Sequence, residues 1–97
     1  ITGVAHTYMA QEAIEQECKK RGYDVKVETQ GGMGIENELS EDEIAEADVV
    51  ILAIAIGIEG VERFEEKEDA GLVISLNPAE VVRDPAAIID RAEKLVQ

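Results

Sequence analysis

The run Val49-Val50-Ile51-Leu52-Ala53 constrains this chain more than any other feature, because it is apolar at every position and leaves no face for water. A strand with one wet face alternates, whereas a strand covered by helices on both sides of a parallel sheet reads as a continuous apolar run. The run falls far short of the roughly 18 to 20 residues that a membrane-spanning helix needs. Alternating helix and strand signals surround it. Met9, Ala10, Ala13, Ile14 and Cys18 keep helical spacing between about His6 and Arg21, and Gly22 ends that segment as a C-terminal cap. From Tyr23 to Thr29 the pattern switches to alternation, with Tyr23, Val25 and Val27 opposite Asp24, Lys26 and Glu28, and Gln30 to Gly34 reads as a glycine-rich loop.

Ser40 followed by Glu43 is a capping-box signature that opens a short acidic helix to about Ala47. Beyond the apolar run the chain is irregular through Gly57 and Gly60, with a turn of helix expected at Val61 to Glu65 and another strand at Leu72 to Leu76. Asp84-Pro85 is a cap followed by a first-turn proline, which predicts an amphipathic helix from Ala86 to about Val96. These alternations predict one α/β domain over residues 1–97, doubly wound and three-layered. Its front edge is odd. No strand precedes the first helix, and a parallel pair needs a crossover, so a strand is expected upstream of Ile1.

Composition narrows the function. The chain has 22 acidic and 9 basic residues, and its net charge of −13 opposes attraction to nucleic acid or to an anionic membrane surface. With three aromatic residues, Tyr8, Tyr23 and Phe64, the core must be built from Val, Ile, Leu and Ala. A single cysteine, Cys18, excludes an intrachain disulfide and a multi-cysteine metal site, and with no signal-like leader it suits a reducing cytoplasm. No cofactor is expected: Gly31-Gly32-Met33-Gly34 is no dinucleotide fingerprint, since it leads into Glu36 and Glu38, which would repel a pyrophosphate.

Ile1-Thr2-Gly3-Val4-Ala5-His6-Thr7 is read as a loop entering the first helix. Such a junction offers unpaired amides and the positive end of the helix dipole to an anion, although a plain tight turn has the same look. Thr2 and Thr7 either donate hydroxyls to a phosphate or cap the helix, and Gly3 permits close backbone approach. Glu28-Thr29-Gln30-Gly31 ends a strand, the edge where α/β sheets build their sites, and is assigned to partner docking or loop bracing against the alternative of a simple turn.

Several blocks in order resemble the fructose-type enzyme IIB family of the bacterial sugar phosphotransferase system. They are Thr2 through Ala10, Val27-Glu28-Thr29-Gln30-Gly31, Gly34-Ile35-Glu36-Asn37, Glu43-Ile44-Ala45 with Ala47-Asp48-Val49-Val50, and Glu62-Arg63-Phe64. The resemblance implies a four-stranded parallel sheet of order 2-1-3-4 whose first strand ends in a phosphoryl-accepting cysteine immediately before Ile1. It further implies that this thiolate takes a phosphoryl group from a phosphohistidine on enzyme IIA. The group then passes to fructose or a similar sugar bound in the membrane component, enzyme IIC. Thr2, Gly3, Val4, Ala5, His6 and Thr7 would form the phosphate loop.

Cys18 cannot stand in for that thiol, because it lies on the apolar face with Ala10 and Ile14. Residues 1–97 alone are therefore expected to be inactive, and, with an internal strand missing, marginal or rearranged. Many relatives carry Asp where Ala55 stands. Arg63 is expected to anchor its loop through ion pairs with acidic neighbours, and Phe64 to pack.

Two other functions compete. One is a noncatalytic interaction module that has lost the cysteine. The other is a phosphatase: counted from the implied cysteine, His6 and Thr7 fall where low-molecular-weight tyrosine phosphatases place Arg and Ser or Thr. A histidine does not grip phosphate as a guanidinium fork does, which argues against hydrolysis.

Overall fold

The computed structural model describes residues 1–31, 34–54 and 60–96. In chain order the elements are β1 (Thr2–Ala5), α1 (Tyr8–Lys20), β2 (Lys26–Gly31), β3 (Gly34–Glu36), α2 (Glu41–Glu46) and β4 (Val50–Ala53). A 3₁₀ turn (Val61–Phe64) then runs into α3 (Glu65–Asp69), followed by β5 (Val73–Leu76), α4 (Pro78–Arg83) and α5 (Pro85–Leu95). The sheet order is β3-β2-β1-β4-β5, with β2, β1, β4 and β5 parallel and β3 antiparallel on the edge of β2. Counted alone the parallel strands lie in the order 2-1-3-4, but the sheet has five strands instead of the four expected, and its first strand is Thr2–Ala5.

β4 is buried at every position. Its side chains alternate between two cores, Ile51 and Ala53 facing one layer and Val50 and Leu52 the other. This is why the run has no polar member. On the first face Ala10, Ile14 and Cys18 of α1 pack with Val81 of α4 and with Ile88, Ile89 and Ala92 of α5. On the second, Leu39, Ile44 and Phe64 close over Val4, Val50 and Leu52 of the sheet. Among the described residues no helix is long and apolar enough to cross a membrane.

The internal strand is the main correction to the sequence reading. Thr2–Ala5, expected as a loop behind a strand upstream of Ile1, itself occupies the central place, with Thr2 opposite Lys26 and Val50, and Ala5 opposite Thr29 and Ala53. Without a strand between β2 and β4 two rows of ladder groups would be left unpaired, and the adjoining segment satisfies them. The Thr2 amide donates to Val49 O at 3.1 Å, the Lys26 amide to Ile1 O at 3.1 Å, and the Thr2 hydroxyl to Lys26 O at 3.0 Å. Gly3 is required here: a Cβ would stand 2.5 Å from the carbonyl oxygen of Ile51.

The other differences have local reasons. β2 starts at Lys26 instead of Tyr23, because Gly22 (φ 77°) and Tyr23 close α1 by donating to Lys19 O and Cys18 O, a Schellman arrangement that withholds them from the ladder. The expected glycine loop is partly a hairpin, since β2 runs to Gly31 and pairs with Gly34 of β3. Gly32, Met33, Ala55 and Gly57 lie outside the described residues.

α4 went unforeseen although its signal matches that of α5. Asn77 accepts from the Ala79 amide ahead of Pro78, as Asp84 accepts from the Ala87 amide ahead of Pro85. The capping box is formed as expected, with Ser40 and Glu43 exchanging side-chain and backbone hydrogen bonds.

Candidate functional site

β1 ends at the C-terminal edge of the sheet and turns into α1 through His6 and Thr7. The His6 amide donates to Ala53 O at 3.2 Å, which ties the turn to the last residue of β4. Thr7 is extended and caps the helix, its hydroxyl accepting from the Ala10 amide at 3.1 Å. The Tyr8 and Met9 amides lie in the first turn, where a helix has no internal acceptors to give. That turn carries no acidic side chain, while Lys19 and Lys20 occupy the last turn, so the dipole is complemented at its negative end and open at its positive end. Replacing Thr7 with alanine is expected to cost about 1 kcal/mol through loss of the cap, measured by denaturant unfolding.

Of the residues assigned to the phosphate loop, His6 and Thr7 stand at this junction. Thr2, Gly3, Val4 and Ala5 do not; they are buried in β1 and their backbone belongs to the ladder. Tyr8 and Met9 are exposed beside the junction, and the hydrogen bond to Glu36 of β3 raises the Tyr8 hydroxyl above its ordinary pKa. The lone thiol is elsewhere. Cys18 is fully buried further along α1, and burial pushes its pKa up, which makes it a poor nucleophile.

Glu28 and Thr29, read as partner docking or loop bracing, are only 0% and 5% exposed, which leaves no surface for docking and favours the brace. The position of Glu28 is that of a brace. Its carboxylate accepts from the Leu39 amide at 2.8 Å, from Gln30 Nε2 at 2.7 Å, and from both terminal nitrogens of Arg63 at 2.8 and 3.1 Å. Burial alone would raise this carboxyl, but the hydrogen bonds from Arg63, Gln30 and Leu39 outweigh it and hold the group below the usual range. Arg63 also donates to Leu39 O at 2.7 Å and to Gly60 O at 2.8 Å, and lies over the Phe64 ring. The expectation that Arg63 anchors its surroundings through an acidic partner holds. That the partner is Glu28 was not foreseen: on the alternation of the strand Glu28 falls on the polar side with Asp24 and Lys26, and nothing along the chain marks it as buried.

Among the described residues no cluster of His, Cys, Asp and Glu could hold a metal ion. What remains is an α/β domain that presents a helix N-terminus at the C-terminal edge of its central strand, the place where this architecture holds anions.

Comparison with known proteins gives this class a family. Residues 1–91 match the family described as "PTS system, Lactose/Cellobiose specific IIB subunit". The PTS system fructose-like EIIB component 2 of Escherichia coli K12 is 47% identical over 92 residues, covering 95% of this chain and 83% of that protein. Component 1 of the same strain is 38% identical over 94 residues, covering 97% and 83%.

Two solved structures are similar. The crystal structure of a predicted fructose-specific IIB from Escherichia coli aligns with a TM-score of 0.89 at 31% identity, over 99% of this chain and 88% of that one. A domain from the fructose-specific IIABC component of Borrelia burgdorferi aligns at 0.80 with 41% identity, over 96% and 88%. The chain belongs to the IIB family of the sugar phosphotransferase system.

Proposed function

We propose that this chain is the phosphocarrier domain of a fructose-like sugar phosphotransferase system, receiving phosphoryl from enzyme IIA and delivering it to a sugar held by enzyme IIC. The observation that carries this reading is the 47% identity, across 95% of the chain, to a protein named as a fructose-like EIIB component. The family description names lactose and cellobiose instead. The relatives matched along nearly the whole chain favour the fructose-like subtype.

In the proposed relay a thiolate attacks the phosphorus of the donor phosphohistidine. The sulfur–phosphorus bond forms, the nitrogen–phosphorus bond breaks, and its electron pair returns to the imidazole. In the second transfer a sugar hydroxyl oxygen attacks the same phosphorus, loses its proton to a base, and the thiolate departs. The amides of the first turn of α1 suit both steps, because they lower a nearby thiol pKa and stabilise the equatorial oxygens of the group in flight. His6 and Thr7 border that position. Cys18, buried and with a raised pKa, does not serve as the thiol.

The reading carries a geometric demand. With Thr2–Ala5 as β1, a thiol immediately ahead of Ile1 stands at the N-terminal edge of the sheet, separated from the His6–Thr7 junction by more than the length of the strand, about 13 Å. A thiol there reaches the junction only if another strand fills the central place and Thr2–Ala5 moves out to form the loop. A buried glycine weakens a central strand, so Gly3 favours such an exchange.

The test uses the protein as encoded by its gene, incubated with enzyme IIA labelled on its phosphohistidine, followed by peptide mapping. Label on a cysteine next to the Thr2–Thr7 segment is expected, with none on Cys18. Absence of any transfer would sink the reading and leave a noncatalytic interaction domain in its place.

A further inference from the structure

Glu28 and Arg63 form a charged pair within the layer built from Val4, Leu39, Ile44, Val50, Leu52 and Phe64. Burial of the layer does not need them. Exchanging a buried ion pair for apolar side chains of similar volume is often neutral or stabilising. What a guanidinium adds is the ability to hold several acceptors at once in fixed directions. Here the acceptors come from three separate stretches of chain: the Glu28 carboxylate in β2, Leu39 O just before α2, and Gly60 O at the entrance to the 3₁₀ turn. Gly60 is in the left-handed region (φ 71°), and a Cβ there would stand 2.7 Å from Arg63 Nε, so glycine and arginine are fitted to each other.

The pair is also close to the junction. Glu28 lies opposite Val4, two residues before the chain leaves the sheet at His6, and β2 borders the central place of the sheet whichever segment fills it. On the other side the His6 amide is tied to Ala53, where β4 ends.

We propose that Arg63 and Glu28 are positioning residues for phosphoryl transfer, holding the end of β2 against Leu39 and Gly60 and so setting the β2 side of the His6–Thr7 junction. This inference rests on the phosphocarrier reading. Neither side chain touches the transferring group, so their loss changes the rate at which bound partners react and leaves partner affinity alone.

The test compares the wild-type protein, as encoded by its gene, with the double variant Glu28→Leu/Arg63→Met. Thermal unfolding and the saturation kinetics of phosphoryl uptake from phosphorylated enzyme IIA are measured on both. The double variant should unfold within about 5 °C of wild type, since no charge is left buried alone. Its maximal rate should fall about 10- to 100-fold, the scale of an ångström-sized misplacement, with the half-saturating donor concentration little changed. Arg63→Lys should not restore the rate, because an ammonium has no fork.

An unchanged maximal rate in the double variant would overturn the proposal. So would a weaker half-saturation at unchanged maximal rate, which would make the pair a docking determinant. If the double variant melts early, Glu28→Gln decides by the same two kinetic readings. Wild-type protein that takes up no phosphoryl group removes the phosphocarrier reading itself, and this inference with it.

Discussion

Replacing Arg63 with methionine is expected to cost about 3–5 kcal/mol at neutral pH, because it leaves the Glu28 carboxylate buried with no counter-charge. For a domain of this length that corresponds to a fall in Tm of more than about 10 °C. The pH dependence should change sign between the two proteins. In the wild type the Glu28 pKa is lowered by folding, so as the pH falls the unfolded chain takes up the proton first. The stability this group contributes is complete above the unfolded value of about 4.3 and is lost as the pH drops through the folded value.

In Arg63→Met, burial, the largest influence on this carboxyl, is opposed only by the hydrogen bonds from Gln30 and Leu39, and the folded pKa is expected to rise above the unfolded one. The penalty is then greatest at neutral pH and shrinks as the pH falls through the raised value, where the carboxyl becomes neutral. Denaturant unfolding at pH 7 and pH 5 would read this directly. A gap between variant and wild type below about 1 kcal/mol at pH 7, or one that does not narrow at pH 5, would refute the assignment of a buried Glu28 carboxylate that depends on Arg63.

Gly3→Ala is the second large effect. A methyl group at this position would meet Ile51 O at 2.5 Å, and that oxygen belongs to a strand already fixed by pairing with β5 on its far side. Neither backbone can give, so relief requires β1 to part from β4, at a cost of about 1–3 kcal/mol or more. The gain from replacing a strand glycine is smaller, about 0.5–1 kcal/mol. Net destabilisation is expected, together with faster hydrogen exchange of the β1 amides.

The same variant separates the two placements of Thr2–Ala5. If the phosphocarrier places this segment in the junction loop, Gly3→Ala leaves stability nearly unchanged and instead impairs phosphoryl uptake, where close backbone approach to the phosphate matters. Lost stability with β1 deprotected identifies the central strand; retained stability with lost transfer identifies the loop.

How far these residues could be read in advance follows the range of the forces involved. Where the signal is carried by neighbours along the chain, the sequence was a reliable guide. The apolar run at Val49–Ala53 announced a strand covered on both faces, Ser40 with Glu43 announced a helix start, and Asp84-Pro85 announced another. Asn77-Pro78 carries an equivalent signal for α4, a capping residue followed by a first-turn proline. The ordered blocks from Thr2 to Phe64 likewise pointed to the family before any coordinate did.

Where the outcome depends on which groups lack partners elsewhere, the sequence was silent. Thr2–Ala5 has no strand signature, and its place in the sheet follows from the unpaired ladder groups of β2 and β4. β3 is a strand because Gln30 and Gly31 continue the ladder past the expected turn. Glu28 was open to docking or bracing, and what decides for the brace is its burial and a partner 35 positions away. Local propensity and capping act over a few residues and are written in them, whereas ladder closure and charge pairing are settled between segments that meet only when the chain has folded.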